Sequence, residues 1–478
     1  MRTKFILSVG LLFLGILAIN SVLAINSVLA INSALGAPVD MPTRPNDIPP
    51  NDPAPGEMPP GERLSGSMLP GGTSSASPYT FSGSYTLDGK TGKETNANYT
   101  ADTDDTSAVY VLNCSKLTLI NPTISTRGNS SSMDASSFYG LNAAVLAASD
   151  SYVEITGGSV TTTGSGANGV FATGKGTTIN LTGITINCTG EGGHGVDATL
   201  EGVLNLKDVD IITAGSHGAA IATDRGSGII NVDGGKVATY GRDSPGIYST
   251  GTISVKDAVI SGIGAEGAVI EGKNTIALTN TTLNCGKQTT GGIMIYQSFS
   301  GDAENGTGNF MMNGGSISST TGPVFYITNT DAEIDLNAVN VTSASGTLIK
   351  AAASDRWGQF GSNGGIVAFT ATDEDLAGDL VCDSLSMIEA VLRNGTTLAG
   401  SIDSEGKGKF VSLSIDASST WEVTGTSYLD GLYDGDAGLT NIHGNGFTVY
   451  YDSSQKANDW LGAKTYSLAD GGELKPIN

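Results

Sequence analysis

The segment GIYSTGTISVKDAVISG, residues 246–262, contains the pattern that decides the fold. Val255 has one apolar residue two positions before it, Ile253, and another five positions after it, Ile260. Asp257 lies between them, and apolar and polar residues alternate around it. Alternation with a period of two is typical of β-strands, and Asp, Asn and Gly favour tight bends. The segment therefore predicts two short strands joined at Asp257, with a further strand before them.

The same pattern recurs along the chain around nine apolar markers. Each marker has an apolar residue two positions before it and another five positions after it, and Asn, Asp or Gly follows two positions later, with Ala338 as the exception. The markers are Leu119, Ile155, Leu181, Leu206, Val232, Val255, Leu278, Met312 and Leu336, spaced 23 to 36 residues apart. Three short strands in about 25 residues predict one coil of a parallel β-helix, whose stacked coils bury a continuous core. Nine markers predict nine coils.

The predicted fold class is all-β: a single-stranded right-handed parallel β-helix, a solenoid, with a C-terminal β cap. Crossovers between parallel strands are almost always right-handed, which sets the expected hand. A β-sandwich lacks a fixed short period and a propeller blade needs about 40 residues or more, so both fit less well. The pattern places the β-helix at residues 79–395 and the capping β segment at residues 396–478. Three coils carry extra polar residues, which predict long loops at 127–139, 297–309 and 350–365.

The first 78 residues differ in composition from the repeat. Arg2 and Lys4 precede a long apolar run, so residues 1–37 predict a signal peptide or, if uncleaved, an N-terminal anchor. Residues 38–78 are proline-rich and predict an extended linker. The chain has 24 Lys and Arg against 47 Asp and Glu, a formal charge of −23, which argues against nucleic acid as a partner. We expect an extracellular or cell-surface protein that meets a membrane only through an uncleaved N-terminal segment.

The stretch GEGGHGVDATLEG, residues 190–202, allows three interpretations. It fits a calcium-binding nonapeptide, but such repeats occur in tandem and this one is single. Its Gly-His-Gly triplet also occurs in the active site of polygalacturonases, yet the other motifs of those enzymes are missing or in the wrong order. The third interpretation is structural, with Gly195 beginning the third strand of its coil as Gly218 and Gly246 do in theirs. We predict no cofactor, because no complete motif supports calcium, and no catalytic or metal-binding residue.

Two histidines form the first candidate binding feature. His194 and His217 precede the glycines of adjacent coils, so we expect them at equivalent, exposed positions, stacked about 5 Å apart. Such a pair could titrate together or bind a transition metal. Because no third ligand is evident, two solvated turn residues are the simpler interpretation.

The second candidate feature is a set of residues on or near the third strands. Asp197 shares its slot with the aromatic residues Phe171 and Tyr248, and Tyr296 lies slightly later on its own strand. Trp357 lies in the last long loop. Outward aromatic side chains could stack on sugar rings, or they could pack on their neighbours. These residues and the two histidines are therefore candidates for polysaccharide binding.

A lyase on this fold would need a basic residue beside carboxylates on one face. Arg225 and Arg242, with Asp224 and Asp243, are the nearest such residues, but the sequence indicates no convergent cluster. We therefore predict a protein that is not an enzyme.

Two coils, GIYSTGTISVKDAVISG and GAVIEGKNTIALTNTTLNC, and the tail segment STWEVTGTSYLDGL resemble adhesin-like right-handed β-helix proteins of microbial surfaces. The resemblance implies the pectin-lyase-like fold and a secreted or surface location, and it transfers no catalytic residues. The predicted function is non-catalytic binding of polysaccharide or cell-envelope glycans. The alternatives are a polysaccharide lyase or glycoside hydrolase on the same fold and a purely structural surface component.

Overall fold

The structure, a computed structural model, describes residues 79–286, 290–298 and 300–477. Within these ranges the chain forms a parallel β-solenoid of about 16 turns, which confirms the predicted all-β fold. The predicted signal segment, 1–37, and linker, 38–78, lie outside the described residues.

One strand of each coil from β1 to β32 belongs to a sheet of twelve strands among the described residues. We call it the twelve-stranded sheet. In stacking order its strands are β1 (Ser82–Asp88), β4 (Thr106–Leu112), β7 (Val145–Ala147), β10 (Val170–Thr173), β13 (Val196–Thr199), β16 (Ile221–Thr223), β19 (Ile247–Ser249), β22 (Ala268–Glu271), β24 (Ile293–Tyr296), β26 (Phe325–Thr328), β29 (Thr347–Ala351) and β32 (Asp379–Cys382).

The other strands of most coils come in pairs joined at the predicted bend and form a sheet of 22 described strands, here called the 22-stranded sheet. They are β2 (Thr91–Thr95), β3 (Asn98–Ala101), β5 (Lys116–Ile120), β6 (Thr123–Thr126), β8 (Tyr152–Thr156), β9 (Ser159–Thr162), β11 (Thr178–Thr182), β12 (Thr185–Cys188), β14 (Val203–Lys207), β15 (Asp210–Thr213), β17 (Ile229–Asp233), β18 (Lys236–Thr239), β20 (Thr252–Lys256), β21 (Val259–Gly262), β23 (Thr275–Cys285), β25 (Gly308–Ser319), β27 (Thr330–Asn337), β28 (Asn340–Ser343), β30 (Gly365–Thr372), β33 (Met387–Arg393), β35 (Phe410–Ile415) and β38 (Gly431–Asp434). In β23 and β25 the bend is absorbed into one long strand.

The last coils form two small sheets. The first contains β31 (Asp375–Ala377), β34 (Thr397–Gly400), β36 (Thr420–Val423) and β39 (Ile442–His443), and the second contains β37 (Ser427–Leu429), β40 (Thr448–Asp452), β42 (Glu473–Ile477) and β41 (Tyr466–Ser467). The described helices are α1 (Met133–Tyr139) and a 3₁₀ helix (Lys456–Leu461). Neither is long and apolar enough to cross a membrane.

The predicted apolar markers stack directly on one another. Each pairs in register with the next, from Leu119 on Ile155 to Met312 on Leu336. All nine are buried, with at most the 4% exposure of Val232. The residues five positions later are buried as well, from Ile124 to Val341. The periodic apolar residues therefore form the continuous interior that the repeat predicts.

The bend after each marker requires left-handed backbone. All nine bend residues have positive φ, from 47° at Asn280 to 77° at Gly234. Gly, Asn and Asp tolerate this conformation best, which explains the composition of the slot. Ala338, the one exception, still adopts a φ of 54°. The stack therefore imposes the bend even where the residue does not favour it.

The regular stack extends beyond the nine predicted coils in both directions. Glu94 pairs with Leu119, and after Leu336 the column continues through Ala371 and Leu392. The marker position is polar in the first of these coils and the last coils are shorter, so the spacing rule missed them. Parallel stacking continues through β40 and β42, and an antiparallel pairing of β41 with β42 ends the described chain.

The first predicted long loop contains a short helix. Ser132 caps α1 by accepting a hydrogen bond from the Ala135 amide, and Gly140 ends it with a φ of 76°. Within the other two predicted loops, 297–309 and 350–365, the described residues 297–298, 300–307 and 352–364 lie outside strands, and the remaining described residues belong to the flanking strands. The three insertions therefore differ in structure, and all follow or precede strands of the twelve-stranded sheet.

A reciprocal pair of substitutions tests the left-handed bend. Gly183 has a φ of 60° and open space around an added Cβ, so Gly183→Ala adds only backbone strain. We expect Gly183→Ala to lower the free energy of unfolding by about 1 kcal/mol and Ala338→Gly to raise it by a similar amount. Denaturant unfolding of both variants measures the change. If both substitutions changed the unfolding free energy in the same direction, left-handed backbone strain would not be the property that selects residues at this bend.

The pH dependence of stability offers a second test at Glu374. This side chain is 3% exposed, its Oε1 accepts a hydrogen bond of 2.8 Å from the Val339 amide, and its Oε2 has no partner. Burial, with a smaller contribution from Asp373 and Asp375, raises the pKa of Glu374 to about 7, although the Val339 amide opposes the rise.

Because the folded-state pKa of Glu374 lies above the ordinary value of 4.5, the folded chain binds this proton more tightly. The stabilisation is complete below pH 4.5 and is lost as the pH rises through 7, by up to roughly 3 kcal/mol. Glu374→Gln should flatten the unfolding free energy between pH 5 and 8 relative to the wild type. Glu333→Gln, at an exposed position, is the control and should leave the profile unchanged.

Candidate functional site

The register of the strands corrects the predicted equivalence of His194 and His217. Val196 pairs with Ile221, so His194 aligns with Ala219 and not with His217. The amide of Gly195 accordingly donates to the carbonyl of Ala219 at 3.0 Å. Glycines occur at several positions in these turns. The sequence prediction matched Gly195 with Gly218, which shifted the alignment of the two coils by two residues.

The two histidines also differ in environment. His194 is buried at 6% exposure, its amide donates to Asn168 Oδ1 at 2.8 Å, and its Nε2 lies 3.1 Å from Asp224 Oδ2. The side chain of His217 is half exposed and lies 3.5 Å from Asp243 and 3.7 Å from Glu191. The expectation of an exposed turn residue is therefore correct for His217 and wrong for His194.

Gly195 itself has a structural role. A Cβ at this position would lie 2.3 Å from Ile211 Cγ2 and 2.6 Å from the carbonyl of Ala220. Atoms cannot approach so closely, so only glycine fits where the turn passes over the core. Packing of the turn on the core therefore explains the glycine at position 195.

Asp197 lies on the outer side of β13, in the column that the sequence predicts. It pairs with Phe171 on one side and Ala222 on the other, and Ala222 pairs with Tyr248. Asp197 has no exposed surface, and neither carboxylate oxygen has a hydrogen-bond partner. Burial and, after it, the Asp224 carboxylate raise the pKa of Asp197 well above its usual range, a rise that the nearby Asp224 and Ala198 backbone opposes in part.

His194, Asp197 and Asp224 together form what we call the His–Asp cluster. One ligand atom from each residue lies within 4.8 Å of the other two, and all three residues are buried. The expectation that no carboxylates converge is therefore wrong for Asp197 and Asp224, whereas the expectation of no metal-binding residue stays a prediction. Asp224 follows β16 by one residue, two positions after Ala222. In the correct register Asp197 pairs with Ala222, which places Asp224 two residues further along the neighbouring coil.

Arg225, which the sequence pairs with Asp224 as a candidate lyase base, points elsewhere. Its guanidinium lies 4.5 Å from the ring centroid of Phe138 on α1, the geometry of a cation–π contact. Arg242 and Asp243 contact each other near His217, away from the His–Asp cluster. The structure therefore separates these candidates from the buried carboxylates.

A second buried carboxylate, Glu271, was not predicted. It is 1% exposed and accepts hydrogen bonds from Tyr248 at 2.5 Å, Tyr296 at 3.0 Å, Ser300 at 3.3 Å and the Ser298 hydroxyl. Burial raises the pKa of both tyrosines well above the ordinary value of 10, which keeps them protonated as donors. Four hydroxyl donors therefore compensate the buried charge of Glu271, in contrast to Asp197.

The candidate aromatic residues lie against one another near Glu271. The rings of Tyr296 and Trp357 are 4.9 Å apart, and Arg356 lies 4.5 Å from the Trp357 ring centroid. Tyr296 is 8% exposed, and Tyr326 belongs to the same apolar cluster at 7%. Tyr248, Tyr296 and Trp357 thus pack on their neighbours, which leaves little ring surface for a sugar.

The three insertions converge on this outer face of the twelve-stranded sheet. Thr199 donates to the carbonyl of Phe138, Ser298 binds Glu271, and Trp357 covers Tyr296. Asp302, in the second insertion, adds another carboxyl group. Burial first, and then Glu271 and Asp224, raise the pKa of Asp302 to about 6. The enclosed face is therefore electronegative.

The 22-stranded sheet presents a different outer surface. An open groove of about 650 Å³ runs across its coils from Glu154 to Thr279. Its polar lining residues are Glu154, Asn180, Thr182, Asn205, Lys207, Asn231, Asp233, Ser254, Lys256 and Thr279. Asn231 donates to Asn205 at 2.9 Å, Asn205 to Asn180 at 2.8 Å, and Asn180 to the Tyr152 hydroxyl at 2.8 Å. We call this surface the amide groove.

No model of a known protein family matches the chain, and no curated protein or solved structure is detectably similar to it. The resemblance to adhesin-like β-helix proteins therefore rests on the sequence segments quoted above. Function has to be argued from the two outer surfaces themselves.

Removal of Glu271 should release the second insertion. Glu271→Ala leaves the hydroxyls of Tyr248, Tyr296 and Ser298 without their acceptor, so we expect a loss of about 2 kcal/mol or more in unfolding free energy. Hydrogen exchange of the Ser300 and Asp302 amides should accelerate more than exchange in the core strands. Glu333→Ala, which removes an exposed carboxylate, should change stability by less than about 0.5 kcal/mol. Unchanged exchange at Ser300 would contradict this anchoring role.

Proposed function

We propose that this protein is an exported, non-catalytic surface β-helix of adhesin-like type that binds an extended polysaccharide or cell-envelope glycan. The amide groove is the observation that carries the proposal. It is an open polar surface that crosses several coils, whereas Tyr296 and Tyr326 on the twelve-stranded sheet are largely buried.

The chemistry of the groove suits a chain of sugar hydroxyls. Each asparagine of the ladder has two amide N–H donors and one carbonyl acceptor, and the ladder uses one donor per residue. The remaining donors repeat from coil to coil, at the spacing of stacked strands, about 4.8 Å. A periodic row of donors and acceptors favours an extended, repeating ligand over a compact one.

Charged side chains border the amide ladder with both signs. Lys256 lies 3.4 Å from Asp233 and 3.5 Å from Asp257, and Lys207 and Glu154 line the same groove. Mixed charge at the rim accommodates neutral glycans and weakly charged ones. The formal charge of −23 disfavours strongly acidic polymers such as nucleic acid.

A second candidate function is cleavage of a polysaccharide at the His–Asp cluster. The two carboxyl groups of retaining glycosidases lie about 5 Å apart, and the ligand oxygens of Asp197 and Asp224 lie within 4.8 Å. Asp197 has no exposed surface, however, so a substrate could not reach it without movement of the insertions. This enclosure favours binding over cleavage. A purely structural surface component is the third alternative.

Glycan binding can be tested with the purified chain and a panel of soluble polysaccharides, including xylan, mannan and homogalacturonan, together with peptidoglycan. We expect at least one member to bind with no increase in reducing or unsaturated ends. The double variant Asn205→Ala, Asn231→Ala should weaken that binding by about tenfold, since two hydrogen-bonding groups are lost. Calorimetry or affinity electrophoresis measures the change.

Asn284→Ala is the matched control. Asn284 donates to Ser261 at 3.1 Å on the same sheet but does not line the groove. Its variant should bind like the wild type. New chain ends would favour the enzyme, and absence of binding across the panel would favour the structural role.

A further inference from the structure

The His–Asp cluster has a geometry that neither glycan binding nor the fold explains. His194 comes from the turn before β13, Asp197 from β13 itself, and Asp224 from the end of β16, so two coils contribute. One ligand atom from each residue lies within 4.8 Å of the others. Their exposures are 6%, 0% and 7%, respectively. Three metal-ligating groups therefore converge in an enclosed position.

The polar atoms of the cluster are poorly satisfied. No hydrogen bond of normal geometry reaches either carboxylate oxygen of Asp197 or the Nδ1 atom of His194, although all three atoms are buried. The backbone of Asp224 and Ala198 lies near the Asp197 carboxyl group and offsets only part of the cost of its burial. Within the cluster, His194 Nε2 lies 3.1 Å from the Asp224 carboxylate, which is close enough for a hydrogen bond or ion pair. Burial of a polar or charged group without a partner costs several kcal/mol, so such groups are normally paired, protonated or bound to a metal.

The surroundings add negative charge. Glu271 and Asp224 both lie near enough to Asp302 for their charges to raise the pKa of its carboxyl group. Arg225 offsets part of this charge but directs its guanidinium onto Phe138. The Glu271 carboxylate accepts hydrogen bonds from four hydroxyl groups. The Asp197 carboxylate has no such donors, so it is the buried acidic group that a bound cation would stabilise most. The enclosed face accordingly favours a cation.

We propose that His194, Asp197 and Asp224 bind one divalent first-row transition-metal ion, of which Zn²⁺ is the test case. A mixed set of imidazole nitrogen and carboxylate oxygen suits Zn²⁺, Co²⁺ or Mn²⁺, whereas Ca²⁺ and Mg²⁺ prefer ligand sets made of oxygen. Three protein ligands leave a fourth position open to water or another small ligand.

The bound ion has a structural consequence. It connects the turn before β13, β13 itself and the end of β16, and it places a positive charge beside the Asp197 carboxylate. An ion that binds the folded chain alone raises the stability of that chain by mass action. The site thereby makes this part of the solenoid more stable when the ion is present.

The experiment uses the tag-free chain, stripped of metal with a chelator and titrated with Zn²⁺, Co²⁺ and Ca²⁺. The chain contains three histidines, His194, His217 and His443, so each can be replaced singly. We expect one Zn²⁺ per chain by calorimetry, a visible Co²⁺ absorption spectrum, a rise in Tm with Zn²⁺ and no competition from equimolar Ca²⁺. His194→Gln should weaken Zn²⁺ binding by about 100-fold or more and abolish the Tm shift.

His217→Gln and His443→Gln are the matched controls, because each of these histidines also lies near two carboxylates but has a more exposed side chain. Both variants should keep the single tight site. A Zn²⁺ site that survives His194→Gln, or that disappears with either control, would overturn the proposal. Equal affinity for Ca²⁺ would overturn it too.

Asp197→Asn separates metal binding from a merely structural effect. The substitution keeps the shape of the side chain but removes its ability to ionise at a position where burial disfavours the charged form, so the metal-free variant should have a Tm equal to or above that of the metal-free wild type. It should gain nothing on addition of Zn²⁺. A variant that is less stable without metal but gains as much Tm from Zn²⁺ as the wild type would assign Asp197 a packing role and contradict the proposal.

Discussion

Each coil of this solenoid can bury its apolar side chains only against the coils on either side of it. The column from Leu119 to Leu336 keeps one apolar residue directly above the next. A slip of one residue would turn this column to the outside, since neighbouring residues of a strand face opposite ways. The left-handed bend after each marker keeps the paired strands in phase, even at Ala338. The positions of all outward side chains follow from this register.

The same register produces two unlike outer surfaces. On the 22-stranded sheet the coils are uninterrupted, and equivalent polar residues such as Asn180, Asn205 and Asn231 form a ladder open to solvent. On the twelve-stranded sheet three insertions cover the strands. The insertions shield part of this sheet from water, and the carboxylates of Asp197 and Glu271 are buried there. The open surface suits an extended ligand, and the enclosed one suits an ion.

The sequence was sufficient for the fold class, the apolar columns and the bend positions, because each depends on a local pattern repeated many times. It was insufficient where a single coil departs from the pattern. Gly218 looked equivalent to Gly195, yet Ala220 occupies that position, and the error shifted the alignment of the two coils by two residues. Glu271 could not be found either, because its hydroxyl partner Ser298 lies in an insertion that no repeat describes. The helix at Met133–Tyr139 was missed for the same reason.

The stacking of β13 on β16 brings Asp197 and Asp224 together with His194 around one position. A crystal structure of the chain grown with Zn²⁺, with anomalous diffraction recorded on both sides of the zinc absorption edge, tests it most directly. The account predicts one strong anomalous peak about 2.0–2.2 Å from a His194 ring nitrogen and from one oxygen of each aspartate. A map with Val196 paired to a residue other than Ile221, or with its strongest peak at His217 or His443, would contradict it.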